Sequence, residues 1–347
     1  MEVIIHPGMH KTGTSSIQAT LVKLKPEGWT FRDDADGNMS YLVPLLFEKN
    51  PENYSSFKAR GLSASKISQI REHQFASLHE KLALAREQST NAIFTAEDIS
   101  SASESAVQAI RDLYLSYGFN IRVVAYVRSP VSFMQSAFQQ GLKSGLKTLF
   151  HETATNPNYR TRFEKMDRIF GRDKVVLKIF DPRNLVSGDV CIDFFSELGL
   201  KIDHDQVVRV NESMSLEACA LLFAQRSLGQ GFVQGFEGVH AKNFAFFSSL
   251  SAVGTGKFRF KRSFVESIIE RYRHDIDWME ERLGSPILDL PEEDEPDSIG
   301  SEEDLLHIAD RNLDALEDLL FREICKQGDA PRDRLIRNLE LLRKMHY

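Results

Sequence analysis

The sequence predicts an α/β fold: a central, mainly parallel sheet flanked by helices, with a helical cap and additional C-terminal helices. Three observations carry that expectation. The chain opens on an apolar run, Val3 to Ile5, followed by a turn rich in glycine and hydroxyls, then by helical spacing at Ile17, Leu21 and Leu24. Two further apolar runs, Asn91 to Ser100 and Asn120 to Val127, each end in charged residues. Strand-like runs also alternate with helix-like stretches, which is the pattern of βαβ units and a parallel sheet.

Bulk properties narrow the class. With 347 residues, 42% of them hydrophobic, the chain has enough material for a substantial core. A net charge of −7 argues against a general nucleic-acid binder. The three cysteines, Cys191, Cys219 and Cys325, are far apart and follow no metal or disulfide spacing, so a reducing compartment is expected. No run approaches the roughly 18 apolar residues of a membrane span. The first strand begins at Val3, which leaves no room for a signal peptide, and a cytoplasmic location is expected.

The elements follow in order. Residues 22–90 carry no strong strand signal and read as a helical cap, with helices over Met39–Glu48 and Ala64–Gln88. The longer of these has Ile67, Ile70, Phe75, Leu78, Leu82 and Ala85 on one face. Asn91 to Ser100 is a strand whose end carries Glu97 and Asp98. Ser103 to Tyr117 is a crossover helix closed by Gly118. Asn120 to Val127 is the clearest strand, and Arg128-Ser129-Pro130 follows it, with Pro130 suited to the first turn of a helix over Val131–Gly141. Residues 142–172 read as a loop and helix near the mouth of a site, where Arg160, Arg162 and Lys165 would attract an anion or simply form a solvated face.

Lys174 to Phe180 is another strand, Asp181 to Asp189 a turn and Val190 to Leu198 a helix. The segment Arg209-Val-Asn211-Glu-Ser213 leads to a helix over Leu216–Leu228, with Ser213 or Ser215 as its cap. Residues 229–262 include the basic run Gly254 to Arg262, and Phe264–Leu283 is a helix. The expected organisation is an α/β domain over 1–285, an acidic linker or loop over 286–304 and a C-terminal helical segment over 305–347. That last segment either docks on the domain or mediates self-association.

The first turn is the most informative stretch. Gly8 and Gly13 stand as the two glycines of the phosphate-loop pattern G-x-x-x-x-G-K-[ST] do, but Thr14 occupies the lysine position. The lysine is Lys11, three residues earlier. A strand, a glycine turn and a helix N-terminus together form an anion cradle. The run His6-Pro-Gly-Met-His10-Lys11-Thr12-Gly13-Thr14-Ser15-Ser-Ile-Gln18 resembles the 5′-phosphosulfate loop of sulfotransferases that use 3′-phosphoadenosine 5′-phosphosulfate (PAPS), most of all their bacterial members. Tyr-Val-Arg128-Ser-Pro-Val-Ser-Phe-Met-Gln-Ser136 is similar to their 3′-phosphate segment, an arginine at a strand end and a serine eight positions on. A guanidinium fork and a hydroxyl suit that dianion.

The resemblance covers roughly residues 1–225 and implies a P-loop NTPase-like sulfotransferase fold with PAPS as co-substrate and no required metal. It implies cofactor contacts at Lys11, Thr12, Gly13, Thr14, Ser15, Arg128 and Ser136. Lys11 would stabilise the leaving phosphate. Glu97 is the first candidate base, with a helix cap or ion pair as its plain alternative. His10 is the second, and His6 is expected to be structural. The expected partner is a small-molecule or carbohydrate acceptor, with no nucleic acid. A small-molecule P-loop kinase using Glu97 and Asp98 on the metal side is the rival enzyme, and a catalytically silent nucleotide-binding protein is the other alternative.

Overall fold

The computed structural model describes residues 1–9, 11–32, 38–151, 155–210, 213–229, 238–326, 335, 336, 339 and 343. The chain forms two compact units. The first comprises Met1–Ala137, His151–Glu212 and Val265–Leu290, and the second Phe138–Phe150, Ser213–Phe264 and Pro291–Tyr347. Residues 138–150 and 213–264, expected within the domain over 1–285, thus fall in the unit that contains the C-terminal helices.

The first unit is an α/β layer structure around a five-stranded, all-parallel sheet: β1 (Glu2–Pro7), β2 (Trp29–Thr30), β3 (Asn91–Ala96), β4 (Asn120–Val127) and β5 (Val175–Ile179). Their order is β2-β3-β1-β4-β5, so β1 lies centrally between β3 and β4. Val3 sits opposite Ala92 on one side and Ile121 on the other. This is the α/β class with a parallel central sheet flanked by helices that the sequence predicts. Side chains alternate between two cores because successive strand residues face opposite ways. Val3, Ile5, Phe94 and Val123 join one core with Leu45, Leu46 and Ile67. Ile4, Ile93, Val124 and Tyr126 join the other with Ile17, Leu21 and Phe194. Burial on both faces explains why these strands read as continuous apolar runs.

Helices of the first unit include α1 (Thr14–Leu24), α2 (Ala64–Glu87), α3 (Glu104–Ser116), the start of α4 (Pro130–Lys143), α5 (Tyr159–Phe170) and α6 (Val190–Glu197). On α2, Ile67, Leu82 and Ala85 are buried, and Ile70, Phe75 and Leu78 pack against the same core. Ser103 caps α3 by accepting from the Ala106 amide, and Asp189 caps α6. Two expectations change here. The cap region includes the short edge strand β2, and Met39–Glu48 forms only a wide π-type turn over Val43–Phe47. Pro44 has no amide hydrogen to continue a regular ladder there.

The second unit contains α7 (Leu216–Leu228), α8 (Gly238–Leu250), α11 (Glu302–Arg311) and α12 (Leu313–Lys326). Helices α9 (Arg262–Arg271) and α10 (Arg273–Leu283) lie between α8 and α11 in the chain. The single helix expected over 264–283 is broken at Tyr272 (φ −109°, ψ 16°). Ser215 caps α7, while Asn211 lies outside the described residues. The acidic stretch 286–304 is not a free linker where it meets the basic run. Ser298 and Ile299 are buried, and Ile299 pairs with Phe260. Arg259 pairs with Glu295, and Lys261 with Asp304, each at 3.0 Å. Opposite charges and the buried Phe260 and Ile299 together hold the two segments to each other.

Among the described residues no helix is long and apolar enough to cross a membrane.

Candidate active site

The turn between β1 and α1 is built by backbone geometry. Lys11 adopts a left-handed conformation (φ 67°), as does Gly13 (φ 80°). Thr12 is buried and folds back, donating from its amide (3.3 Å) and its hydroxyl (2.7 Å) to the Met9 carbonyl. Gly13 must be glycine twice over: a Cβ there would lie 2.5 Å from Val190, and its φ is one that side chains resist. A Cβ on Gly8 would press into Thr14 Oγ1 and Glu97 Cγ, so the loop, α1 and the end of β3 close tightly on one another. Helix α1 starts with no side-chain cap and no acidic residue in its first turn. Thr14 is buried, and Ser15 is half-buried beside it.

Arg128, at the end of the neighbouring strand β4, reaches this turn. Its Nη1 donates to the Lys11 carbonyl at 2.5 Å, and its guanidinium lies 5.6 Å from the centre of the Phe180 ring. The Tyr159 hydroxyl donates to the Arg128 carbonyl and holds the backbone there. Burial pushes the Arg128 pKa down, and the charge of Asp289 opposes that. Arg128 Nε is buried with no hydrogen-bond partner among the described residues. Ser136 is half-buried about two turns along α4. The structure thus brings Lys11 and Arg128 to the same edge of the sheet, at the carboxyl ends of adjacent strands, where parallel α/β sheets bind ligands.

Glu97 stands on the other side of the turn. Its amide donates to Ser40 Oγ at 2.9 Å. Burial lowers the pKa values of His6 and Arg162, which the Glu97 charge opposes, and raises that of Tyr54, to which the Glu97 charge adds. Asp98 accepts from the Tyr54 hydroxyl at 2.9 Å. His10, the second candidate base, lies outside the described residues. His6 is fully buried, with Nδ1 2.8 Å from the Val124 carbonyl and Nε2 3.5 Å from Thr14 Oγ1. A carbonyl only accepts, so Nδ1 carries the proton and Nε2 presents its lone pair. Burial drives the His6 pKa from 6.5 to about 4. A neutral imidazole therefore supports α1 from below.

Of the basic residues expected near the mouth, only Arg162 faces the turn. It donates to Ser100 Oγ (3.0 Å), which lies 3.0 Å from the Gly8 carbonyl. Lys165 is buried and bonded to the Ala102 carbonyl, and burial lowers its pKa to about 8. Arg160 pairs with Glu164 in solvent. Of the two alternatives for these residues, the solvated face holds for Arg160, while Arg162 and Lys165 are bonded to neutral groups of the protein.

Asp289 was not legible as a site residue. Its carboxylate accepts from the Val131 amide (3.0 Å), the Ser132 amide (3.3 Å) and the Ser129 hydroxyl, and so caps α4 directly after Arg128. It lies 160 residues from Ser129 in the chain, and no local pattern marks it.

No family model matches this chain, and no curated protein matches it. One solved structure, from the PezAT chromosomal toxin–antitoxin system of Streptococcus pneumoniae, is similar at 9% identity over 72% of this chain and 86% of that one, with a TM-score of 0.25. A likeness of that size carries no argument about function.

Proposed function

We propose that this chain is a sulfotransferase that moves the sulfonate group of PAPS to a hydroxyl, or amine, of a small acceptor without a metal. The observation that carries the reading is the junction of Lys11 and Arg128: a cation at the crest of the first turn, tied through its carbonyl to a buried guanidinium on the adjacent strand. The uncapped start of α1 adds amide donors and partial positive charge to the same edge. Arg128 Nε, buried and without a hydrogen-bond partner among the described residues, is a further donor that suits an anionic acceptor of hydrogen bonds.

The reaction is an in-line displacement. The acceptor oxygen attacks sulfur and its proton passes to the Glu97 carboxylate. The bond between sulfur and the 5′-phosphate oxygen breaks, and its electron pair stays on the departing phosphate. Lys11 and the amides at the start of α1 stabilise that charge, in the way preorganised donors do at a developing anion. Arg128 grips the 3′-phosphate, with Ser136 assisting. Positioning and electrostatics suffice for a transfer of this kind.

The kinase reading has less support. It needs a lysine at position 14, where Thr14 stands, and Asp98 is already engaged by Tyr54. The buried free thiols of Cys191 and Cys219, each pushed up to about 12 by burial, agree with action in a reducing compartment such as cytoplasm.

Calorimetry with 3′-phosphoadenosine 5′-phosphate (PAP) and with ADP, each with and without magnesium, tests the reading. Tighter, magnesium-independent binding of PAP is expected. Preference for ADP with magnesium would replace this reading with the kinase, and PAP binding with no turnover across acceptors would leave a silent nucleotide-binding protein.

A further inference from the structure

At Asp98, the residue after Glu97, the first unit holds a cleft of about 450 Å³. Asp98 lines it, as does Tyr54, which bonds Asp98 and senses the charge of Glu97. The remaining wall comes from the cap at positions 43–53 and from the start of α3. The cleft therefore begins one residue from the candidate base, and Glu97 itself packs against the Gly8 side of the first turn.

Its lining is chemically mixed. Glu48, Lys49, Asn50, Asn53, Asp98 and Ser105 supply both donors and acceptors of hydrogen bonds. Val43, Pro44 and the Tyr54 ring supply an apolar strip. We propose that this cleft is the acceptor site, and that it takes a neutral, polyhydroxylated molecule of mono- or disaccharide size. The proposal rests on the sulfonate-transfer reading for its link to chemistry.

Three features select that class. The volume falls in the range of about 300–1,000 Å³ typical of small-ligand sites, which suits one or two sugar rings. Hydroxyls both donate and accept, so a wall of amides, carboxylates and hydroxyls satisfies them where a phenol would leave most of it unpaired. Two carboxylates against one lysine give the wall a formal excess of negative charge, which disfavours phosphorylated acceptors.

A second cleft offers the contrast. It measures about 260 Å³, is lined by Phe31, Leu42, Leu78 and Tyr114 together with Arg32 and Lys81, is the more apolar of the two, and meets β3 at Ala92 and Ile93 rather than at its carboxyl end. An apolar acceptor would suit that cleft chemically but would lie against mid-strand, away from Glu97.

Saturation-transfer NMR on the full chain tests the proposal. The probes are glucose, galactose, N-acetylglucosamine, maltose, trehalose and 4-nitrophenol, each with and without PAP. At least one saccharide should bind, and Asn53→Ala and Lys49→Ala, both at exposed positions, should each weaken it by about fivefold, the scale of one hydrogen bond. Absence of saccharide binding, binding of 4-nitrophenol alone, or saccharide affinity unchanged in both variants would overturn it. Failure of PAP to bind would instead overturn the donor reading, because the saccharide titrations without nucleotide still decide the occupant of the cleft.

Discussion

The helices that follow β1 and β4 begin in opposite ways. Helix α1 starts at a left-handed glycine that supplies no side-chain cap. Helix α4 starts with Asp289 seated on two of its amides and on Ser129. Helix α5 resembles α4, since Asp275 accepts from the Tyr159 and Arg160 amides, each at 2.8 Å. Both carboxylates come from the segment Val265–Leu290, which thus closes two helix starts of the first unit with internal anions. Among the described residues, then, the α4 and α5 starts carry an internal anion, whereas no side chain caps the α1 start, which follows Lys11 at the crest of the first turn.

The largest expected effect lies at that uncapped start. Lys11→Ala should lower kcat for transfer of radiolabelled sulfonate from PAPS by about 10²- to 10³-fold, with a smaller change in PAP affinity. An unchanged kcat would mean that the α1 amides alone carry the leaving-group charge, and the contrast with α4 would then lose its catalytic meaning.

A second way to stress the α1 start is acid. His6 sits beneath it with its pKa held at about 4 by burial, whereas an unfolded histidine titrates near 6.5. Between those values the unfolded chain binds more protons, so stability rises with pH through that window and falls as pH drops toward 4. The full difference is about 3 kcal/mol. Urea midpoints across pH 4 to 7 should show this slope, and His6→Asn, which can still donate to Val124 but does not titrate, should flatten it.

How much of this was legible beforehand depends on range in the chain. Strand β4 and helix α7 match their expected limits, because each carries its apolar pattern and its cap within a few residues. The juxtaposition of Lys11 with Arg128 was expected from the resemblance of their two motifs to the two ends of one nucleotide site. Strand β2 was missed because two residues cannot display a period of two. The Asp289 cap and the contact of Arg162 with Ser100 join positions 160 and 62 residues apart, and neither partner has a local signature. The charge pattern of 286–304 looked like solvation because its partners, Arg259 and Lys261, lie in another segment.

Arg128 tests whether the cation between the two helix starts serves ligand or loop. Arg128→Ala should weaken PAP binding by about 10- to 100-fold, the scale of about 1.5–3 kcal/mol for hydrogen bonds to a charged group. Adenosine 5′-phosphate should lose far less. Equal losses for both nucleotides would mean that the guanidinium acts through the Lys11 carbonyl it holds, and the 3′-phosphate assignment would fall.

Asp289→Asn carries the smallest and most discriminating effect. Asparagine keeps a carbonyl oxygen for the α4 amides, so the cap persists while its charge is lost. Burial already disfavours that charge, since it pushes the Asp289 carboxyl pKa up, although the hydrogen bonds from Ser129, Val131 and Ser132 oppose the shift. If the carboxylate is a built-in competitor for anions beside Arg128, its neutralisation should tighten PAP binding by about three- to fivefold, within the roughly 0.3–1 kcal/mol of an anion at a helix start. Adenosine, which lacks phosphate, should be unaffected. Weaker PAP binding would reverse the assignment: Asp289 would then be the counter-ion that orients Arg128, and the α4 start would belong to the donor site rather than being sealed from it.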